Sequence, residues 1–335
     1  MKILLIAVVG TDNFGDEAMF KYIYNKLKSK NYQITVGTYN VKKAKERFPN
    51  VDFLELPKLS RKDIIKGIFG KTFVDIILYD ALYVSGAGAL NSMYFPHVFL
   101  LWNLTKKFRK NGKYVEFRPQ SVGPFFGKTK GITRKMVNDI VRLSDKFFVR
   151  EKISYDYLKS KGFNVVLKKD DAWNIDAEEI NLNFGDCVGI SIRPWRNKDS
   201  REMIKYFKEL EKIIKSFGYN ILFIPIAYGG SKKYIDNSFL KGNVDGYFLE
   251  NYINLKEATP EIIKGVIKKC KFTIGMSYHF NVFSLSLNKR AAAVYSDEYY
   301  KIKNLGLYKA WGNSSGVFKI PETPPKQIIE YLLGD

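Results

Sequence analysis

Short apolar segments alternate with stretches of helical periodicity along most of this 335-residue chain. The segment KILLIAVV at residues 2–9 has the length and composition of a buried strand, and residues 16–29 follow it with apolar side chains at helical spacing. The same order recurs around the later segments QITVGTY, KYVEFRPQSVGP, CVGISIRPW and KFTIGMS. Strands separated by helices pair in parallel, because each helix returns the chain to the same end of the sheet. The pattern therefore predicts parallel α/β sheets.

The alternation lapses between about residues 173 and 185, and we expect a domain boundary there. Two doubly wound, Rossmann-like domains facing a cleft are predicted, one over residues 1–175 and the other over residues 186–335. In such sheets, ligands bind beyond the carboxyl ends of the strands. Polar residues that follow a strand are therefore the candidates for a functional site.

The segment NFGDEA at residues 13–18 is the first of these candidates. A glycine turn before a helix offers backbone N–H groups to an anion, but Asp16 and Glu17 already bring negative charge to the helix start. The two carboxylates fit either helix caps or acceptors for sugar hydroxyls. The segment SGAGAL at residues 85–90 is predicted to form a second glycine turn, and neither turn has the GxGxxG spacing of a dinucleotide site.

The remaining candidates are cationic or titratable. His279 follows the strand KFTIGMS, which suits a general acid near neutral pH as well as a structural histidine. Arg150 and Arg193 each follow a strand, where an arginine can clamp a carboxylate or phosphate, although a surface arginine has the same pattern. Lys301 and Lys303 follow another strand and fit either a phosphate site or solvated lysines.

The formal charge is +21, which fits either an anionic partner or a lysine-rich proteome. The basic residues are spread along the chain without a block of five or six, and this argues against a nucleic-acid-binding tail. The cysteines, Cys187 and Cys270, form no CxxC pattern, so a reducing, cytoplasmic location is expected. The first apolar run reads as a strand rather than a signal peptide.

The ordered set of motifs resembles the polysaccharide pyruvyl transferase family. The NFGDEA segment is similar to the family's N-x-G-D-E-A, and SGAG at 85–88 stands where the family has a glycine-rich turn. Further similarities are QSVGP at 120–124 to Q-x-x-G-P, VRE with Ser154 to V-R-D/E-x-x-S, DDAW at 170–173 to D-x-A-F/W, and GISIRPW at 189–195 to G-x-S-x-R-P-W. MSYH at 276–279 stands at the family's histidine motif, with Ser277 where the family often has arginine.

The resemblance implies a GT-B-like fold and a transferase that moves the enolpyruvyl group of phosphoenolpyruvate onto sugar hydroxyls as a ketal, releasing phosphate. It implies that His279 is the acid and that the donor is bound in the C-terminal domain with the help of Arg150, Arg193, Lys301 and Lys303. Acceptor binding, on the N-terminal side, is implied for Asn13, Asp16, Glu17, Gly86, Gly88 and Gln120. Phosphoenolpyruvate is a co-substrate here, and neither a cofactor nor a metal is implied.

Acceptors in such pathways of polysaccharide and cell-envelope biosynthesis are often lipid-linked saccharides on the cytoplasmic leaflet. Together with the positive charge, this predicts a cytoplasmic protein that associates peripherally with an anionic membrane surface. Two alternatives stay open. One is a GT-B-type glycosyltransferase that uses a nucleotide sugar, and the other is a basic nucleic-acid-binding protein, which the lack of helix-turn-helix, RNP and zinc patterns disfavours.

Overall fold

The structure, a computed structural model, describes residues 1–68, 73–194, 200–230 and 235–334. Trp195, part of one predicted motif, lies outside these residues. The contacts divide the chain into two compact units, the first formed by Met1–Thr11 and Met19–Asp171 and the second by Asp12–Ala18 and Ala172–Asp335. The sequence predicts that all of residues 1–175 belong to the first domain. The structure differs because residues 12–18 pack within the second unit.

The described part of the first unit contains a parallel sheet in the strand order β3-β2-β1-β4-β6-β7-β8, with β5 beside β6. Its strands are β1 (Lys2–Ile6), β2 (Gln33–Thr38), β3 (Asp52–Glu55), β4 (Ala81–Val84), β5 (Ala87–Leu90), β6 (Tyr114–Val122), β7 (Lys146–Val149) and β8 (Val166–Leu167). The helices that begin before residue 171 are α1 (Phe14–Lys28), α2 (Val41–Arg47), α3 (Arg61–Ile68), α4 (Phe95–Lys110), α5 (Lys130–Leu143) and α6 (Lys152–Lys159).

Strand β1 lies in the middle of this sheet because its residues are apolar on both sides. Ile3 and Leu5 pack in one apolar cluster, which includes residues of α1 and Ala44 of α2. Leu4 and Ile6 point to the opposite face and pack in a second cluster with residues of α4 and α5. A strand covered on both faces reads as a continuous apolar run, as KILLI does.

The second unit has its own parallel sheet, whose described strands follow the order β11-β10-β9-β12-β13-β14. They are β9 (Cys187–Ser191), β10 (Asn220–Phe223), β11 (Tyr247–Phe248), β12 (Phe272–Gly275), β13 (Arg290–Tyr295) and β14 (Val317–Lys319). The helices are α7 (Ser200–Ser216), α8 (Pro260–Lys269), α9 (Tyr278–Ser286), α10 (Glu298–Trp311) and α11 (Pro325–Leu333). The strand order reverses between β9 and β12, and such a reversal opens a crevice at the carboxyl ends of the two strands.

Helix α8 shows how local sequence sets an element boundary. The Thr259 hydroxyl accepts a hydrogen bond of 3.2 Å from the Ile262 amide, and Pro260 occupies the first helical position. This confirms the cap that the sequence predicts, because a threonine cap followed by proline is a helix-start signal.

The segment SGAGAL differs from its prediction. Ala87–Leu90 forms the short strand β5 rather than a turn, with Ala87 paired to Gln120 of β6 and Leu90 paired to Val122. No helix within the described residues is long and apolar enough to cross a membrane.

Candidate active site

Two of the predicted residues, Arg193 and His279, lie at neighbouring strand ends of the second sheet. Arg193 follows β9 by two residues, and His279 is the second residue of α9, which begins after β12. Strands β9 and β12 pair directly, with Ser191 opposite Gly275. The Met276 amide donates a hydrogen bond of 2.8 Å to the Ser191 carbonyl and holds the two strand ends together. Both residues therefore lie where the sheet order reverses.

A buried carboxylate that the sequence did not reveal, Asp236, joins these strand ends. Its side chain is fully buried and forms an ion pair in which Nε of Arg193 lies 2.5 Å from Oδ1. The Ser277 hydroxyl donates a hydrogen bond of 2.6 Å to Oδ2. The amides of Ile226 and Ala227 lie 3.1 Å from the same oxygen. Asp236 thereby links Arg193 to Ser277, the residue that directly precedes the His279 helix.

Asn237 holds the backbone of Ile192, the residue that precedes Arg193. Its backbone has φ of 63°, a left-handed conformation that asparagine tolerates better than most residues. The side-chain oxygen accepts a hydrogen bond of 2.7 Å from the Ile192 amide, and the Asn237 amide donates one of 2.8 Å to the Ile192 carbonyl. An Asp-Asn pair in a polar loop signals a turn. Nothing in that local signal shows that the loop reaches a distant arginine.

The surroundings of Arg193 keep it cationic. Burial by itself lowers the pKa of an arginine, but the Asp236 carboxylate, followed by Tyr300, Asp16 and Tyr299, raises it, and the net pKa of Arg193 is raised. A permanent cation with a fork of N–H donors suits a carboxylate or a phosphate. The electrostatic partners also show that Asp16 and the start of α10 lie near this arginine.

The NFGDEA segment is held in the second unit by residues 226–228. The Phe14 ring stacks on the Tyr228 ring with centroids 4.2 Å apart, and the Phe14 amide donates a hydrogen bond of 3.0 Å to the Ile226 carbonyl. The Tyr228 hydroxyl donates a hydrogen bond of 2.5 Å to the Glu17 carboxylate, which is 1% exposed. Glu17 therefore has a structural partner and offers little surface to a ligand.

The capping role considered for the two carboxylates belongs to Asn13 instead. The Asn13 side-chain oxygen accepts hydrogen bonds from the amides of Gly15, at 3.0 Å, and Asp16, at 3.3 Å. Of the two alternatives for Asp16 and Glu17, the capping one does not apply, because Asn13 precedes them and accepts from the amides at the helix start. Asp16 is half-buried and is the carboxylate of the pair with exposed surface.

His279 lies directly against this segment. A β-carbon placed on Gly15 would lie 2.0 Å from Nδ1 and 2.5 Å from Cβ of His279, so no side chain fits at Gly15. The close approach explains the glycine in this motif. It also brings the predicted acid and the half-buried Asp16 to one place in the second unit.

The structure separates the two candidate lysines on α10. Lys303 is buried, its ammonium contacts the Tyr299 hydroxyl, and its Nζ lies 4.0 Å from the centre of the Tyr299 ring. Tyr299 is also one of the groups that raise the pKa of Arg193, so Lys303, which contacts Tyr299, lies in the same region as Arg193. Lys301 lies on the exposed side of α10, where it pairs with Glu298 at 3.2 Å. Side chains two residues apart on a helix point in directions that differ by about 200°. Lys301 and Lys303 therefore face different surroundings.

The first unit holds the other candidates at the carboxyl ends of its own strands. Arg150 is 1% exposed, with Nη1 2.8 Å from an Asp170 oxygen and Nε 2.8 Å from the Ser121 hydroxyl. Its guanidinium thus links the end of β6 to the DDAW motif. With so little surface available, the donor-binding role of Arg150 stays a prediction.

Gln120, Gly86 and Gly88 also fix the strand-end loops of the first sheet. The Gln120 amide nitrogen donates hydrogen bonds to the carbonyls of Ser85, at 2.7 Å, and Arg118, at 2.8 Å. A β-carbon on Gly86 would lie 2.8 Å from the Met19 sulfur, whereas the Gly88 carbonyl accepts a hydrogen bond of 2.8 Å from Asn91. Their acceptor-binding roles stay predictions as well.

Solved structures with a similar fold include GT-B-fold enzymes, and the fold of this chain is GT-B-like. The S. aureus MnaA-UDP structure is 12% identical with a TM-score of 0.63, over 100% of this chain and 88% of that one. The UDP-GlcNAc 2-epimerase from Methanocaldococcus jannaschii is 10% identical with a TM-score of 0.61, over 99% and 92%. The glycotransferase of kitacinnamycin is 7% identical with a TM-score of 0.55, over 100% and 91%. At such identities the likeness concerns the fold alone.

The chain belongs to the polysaccharide pyruvyl transferase family, whose sequence model matches residues 13–298. The match begins at Asn13, the first residue of the NFGDEA segment, and includes Asp236 and His279. Membership confirms the resemblance drawn from the motifs and makes the protein a transferase. No curated protein matches the chain significantly.

Proposed function

We propose that this protein transfers the pyruvyl group of phosphoenolpyruvate to two hydroxyls of a saccharide, forming a pyruvate ketal and releasing phosphate. The observation that carries the proposal is the Asp236 network, which fixes Arg193 and the start of the His279 helix at adjacent strand ends. Phosphoenolpyruvate carries two anionic groups beside one carbon that must be protonated. A half-buried arginine and a histidine at adjacent strand ends meet both requirements.

Arg193 is the residue proposed to bind the donor substrate, phosphoenolpyruvate. Its raised pKa keeps it charged, and its ion pair with Asp236 orients the guanidinium. The first turn of α9 adds backbone N–H groups, which favour a phosphate or carboxylate. Lys303, buried beside Tyr299 in the same neighbourhood, is the proposed second cation.

His279 is the proposed general acid. Protonation of the methylene carbon of phosphoenolpyruvate makes the adjacent carbon electrophilic, and a sugar hydroxyl adds to it. Loss of phosphate from that adduct regenerates an electrophilic carbon, which the second hydroxyl attacks to close the ketal. Each added hydroxyl gives up one proton, and Asp16, which lies near Arg193 and is half-buried, is the proposed acceptor for one of them.

A thermal-shift measurement with phosphoenolpyruvate, inorganic phosphate, UDP and a UDP-sugar tests the donor. A ligand that binds the folded chain raises its melting temperature by mass action. We expect phosphoenolpyruvate to stabilise the wild-type protein more than phosphate does, and Arg193→Ala to abolish the effect. Arg142→Ala is the matched control, because Arg142 is an exposed arginine that pairs with Asp139.

The same measurement separates the proposal from a nucleotide-sugar glycosyltransferase. The S. aureus MnaA structure is a co-structure with UDP, and a GT-B-like fold is compatible with a nucleotide-sugar donor. Stabilisation by UDP or the UDP-sugar, with phosphoenolpyruvate inert, would overturn pyruvyl transfer. If phosphoenolpyruvate binds, release of phosphate in the presence of a saccharide, lost in His279→Gln, then tests the chemistry.

A further inference from the structure

The positive charge of this protein is concentrated in one unit. The first unit contains 32 Lys+Arg against 13 Asp+Glu, a net +19, and the second contains 23 against 21, a net +2. If the charge reflected only a lysine-rich proteome, the two units would carry a similar net charge, because they have comparable length. The imbalance therefore points to an anionic partner of the first unit.

One segment of the first unit combines this charge with exposed apolar side chains. The segment FGKTKGITRK at residues 126–135 has four basic residues, and no acidic residue occurs between Glu116 and Asp139. Phe126 is 41% exposed and Ile132 is 48% exposed, among the exposed Lys128, Lys130, Arg134 and Lys135. We call these six residues, with Tyr94, the basic-apolar patch.

Tyr94 belongs to the patch because its turn adjoins Phe126. The Phe126 amide donates a hydrogen bond of 3.2 Å to the Ser92 hydroxyl, and residues 92–94 form the 3₁₀ turn that contacts α5. Tyr94 is itself 39% exposed. Three partly exposed apolar or aromatic side chains and four exposed cations thus lie on the loop and helix that follow β6 and on the turn beside them.

The patch lies at the carboxyl edge of the first sheet. Phe126 follows the end of β6, and the turn at residues 92–94 follows the end of β5. The Asn91 side chain links this turn to the strand, since it donates to the Gly88 carbonyl at 2.8 Å and accepts from the Met93 amide at 2.9 Å. The patch therefore adjoins the edge that holds Gly86, Gly88 and Gln120, the residues predicted to bind the acceptor.

We propose that the basic-apolar patch docks the first unit onto a bilayer containing anionic lipids. Lysines beside exposed Phe, Ile and Tyr side chains match both layers of such a surface, because the cations meet headgroup phosphates and the apolar groups enter the headgroup–acyl boundary. A nucleic acid would attract the cations but offers no apolar layer to Ile132. Delivery of a lipid-linked saccharide to the acceptor edge, the purpose of docking, rests on the proposed function.

Co-sedimentation with vesicles tests the docking without any need for activity. The full-length protein is mixed with vesicles of phosphatidylglycerol and phosphatidylcholine, or of phosphatidylcholine alone, over a series of salt concentrations. We expect salt-sensitive binding to the anionic vesicles and weak binding to the neutral ones. Lys128→Gln with Lys130→Gln should weaken binding by roughly fivefold for each lysine removed.

Matched controls lie elsewhere on the same unit. Lys42→Gln with Lys45→Gln removes the same charge from exposed positions of α2, a helix whose Ala44 packs in the apolar cluster on the opposite face of the sheet. Phe126→Ser with Ile132→Ser should reduce binding at high salt, when charge is screened. Ile77→Ser with Leu78→Ser is its control, because these exposed residues precede β4 at the amino edge.

Several outcomes would overturn the docking proposal. These are equal binding to neutral and anionic vesicles, equal losses in the α2 variant and the patch variant, or an oligonucleotide that binds more tightly than the vesicles and displaces them. Failure of pyruvyl transfer would leave these vesicle results unchanged, so the two proposals fail separately.

Discussion

Gly15 and His279 lie so close that a β-carbon on Gly15 would be 2.0 Å from the imidazole Nδ1. The contact joins the second unit's short N-terminal segment to the strand end that carries the proposed acid, although 264 residue positions separate them. The glycine of the NFGDEA segment is therefore explained by the histidine rather than by a bound phosphate. The same contact sets the position of His279 from one side.

Gly15→Ala is expected to impair pyruvyl transfer more than the addition of one methyl group would suggest. The added methyl group overlaps the base of the His279 side chain as well as its ring, so α9 or the segment must move. Overpacking of this kind costs about 1–3 kcal/mol. We expect kcat to fall at least about tenfold, as expected for a displaced acid, and the melting temperature to fall by several degrees.

Gly131→Ala is the control for this variant. Gly131 is an exposed residue of α5, and its β-carbon would have no atom within 4 Å. Alanine in a helix there should leave the melting temperature unchanged or raise it. Equal activity of Gly15→Ala and wild type would contradict the placement of His279.

Asp236→Asn is expected to weaken donor binding. The substitution keeps the shape but removes the charge that orients Arg193 and accepts from Ser277 at 2.6 Å. Losing one partner of a buried ion pair costs about 3–5 kcal/mol. We expect the KM for phosphoenolpyruvate to rise more than kcat falls, because Asp236 acts through Arg193 rather than on the reacting atoms.

Asp245→Asn serves as the matched control. Asp245 is a highly exposed aspartate of the same unit, paired with Lys215 at 2.5 Å. Its pKa is lowered chiefly by its hydrogen bond to Lys215, but an exposed pair contributes little to stability. If both variants kept the wild-type KM, Asp236 would have no positioning role.

Lys303→Met and Lys301→Met should differ sharply. Lys303 is buried against Tyr299, whereas Lys301 pairs with Glu298 on the exposed side of α10. We expect the first substitution to raise the KM for phosphoenolpyruvate about tenfold or more, as removal of a charged hydrogen-bond partner does, and the second to leave it unchanged. The reverse order would show that α10 presents its other side to the donor.

The buried Lys264 is expected to make the free energy of unfolding depend on pH in a distinct way. Its ammonium donates hydrogen bonds of 3.0 and 2.7 Å to the carbonyls of Trp173 and Ile175, and burial lowers the pKa of Lys264 to about 8. Below about pH 8 the folded protein bears the full cost of the buried charge. Between about pH 8 and 10.5 the unfolded chain binds more protons, so this group's contribution to stability rises with pH.

Urea unfolding of wild type and Lys264→Met at about pH 7 and about pH 10 measures this effect. The free-energy difference between the two proteins should shift in favour of wild type at the higher pH, by at most about 3 kcal/mol for the lowered pKa. Lys268→Met, an exposed position on the same helix, is the control for general alkaline effects. A difference that does not change with pH would refute the lowered pKa.

Much of the fold follows from local pattern. The run KILLI fits a strand covered on both faces, and Thr259 followed by Pro260 marks the start of α8 as the structure has it. The turn predicted at residues 85–90 became the strand β5, because pairing with β6 depends on a neighbour that the local sequence does not reveal.

The sequence by itself determined the parallel α/β class, the family and the strand-end positions of Arg193 and His279, because hydrophobic periodicity and motif order are local properties. The tertiary structure decided which polar groups meet. It placed residues 12–18 in the second unit, paired Asp236 with Arg193, and buried Lys303 while leaving Lys301 partly exposed. These outcomes depend on contacts between residues far apart in the chain. A buried charge must be paired, and tertiary packing determines which oppositely charged group lies close enough to pair with it.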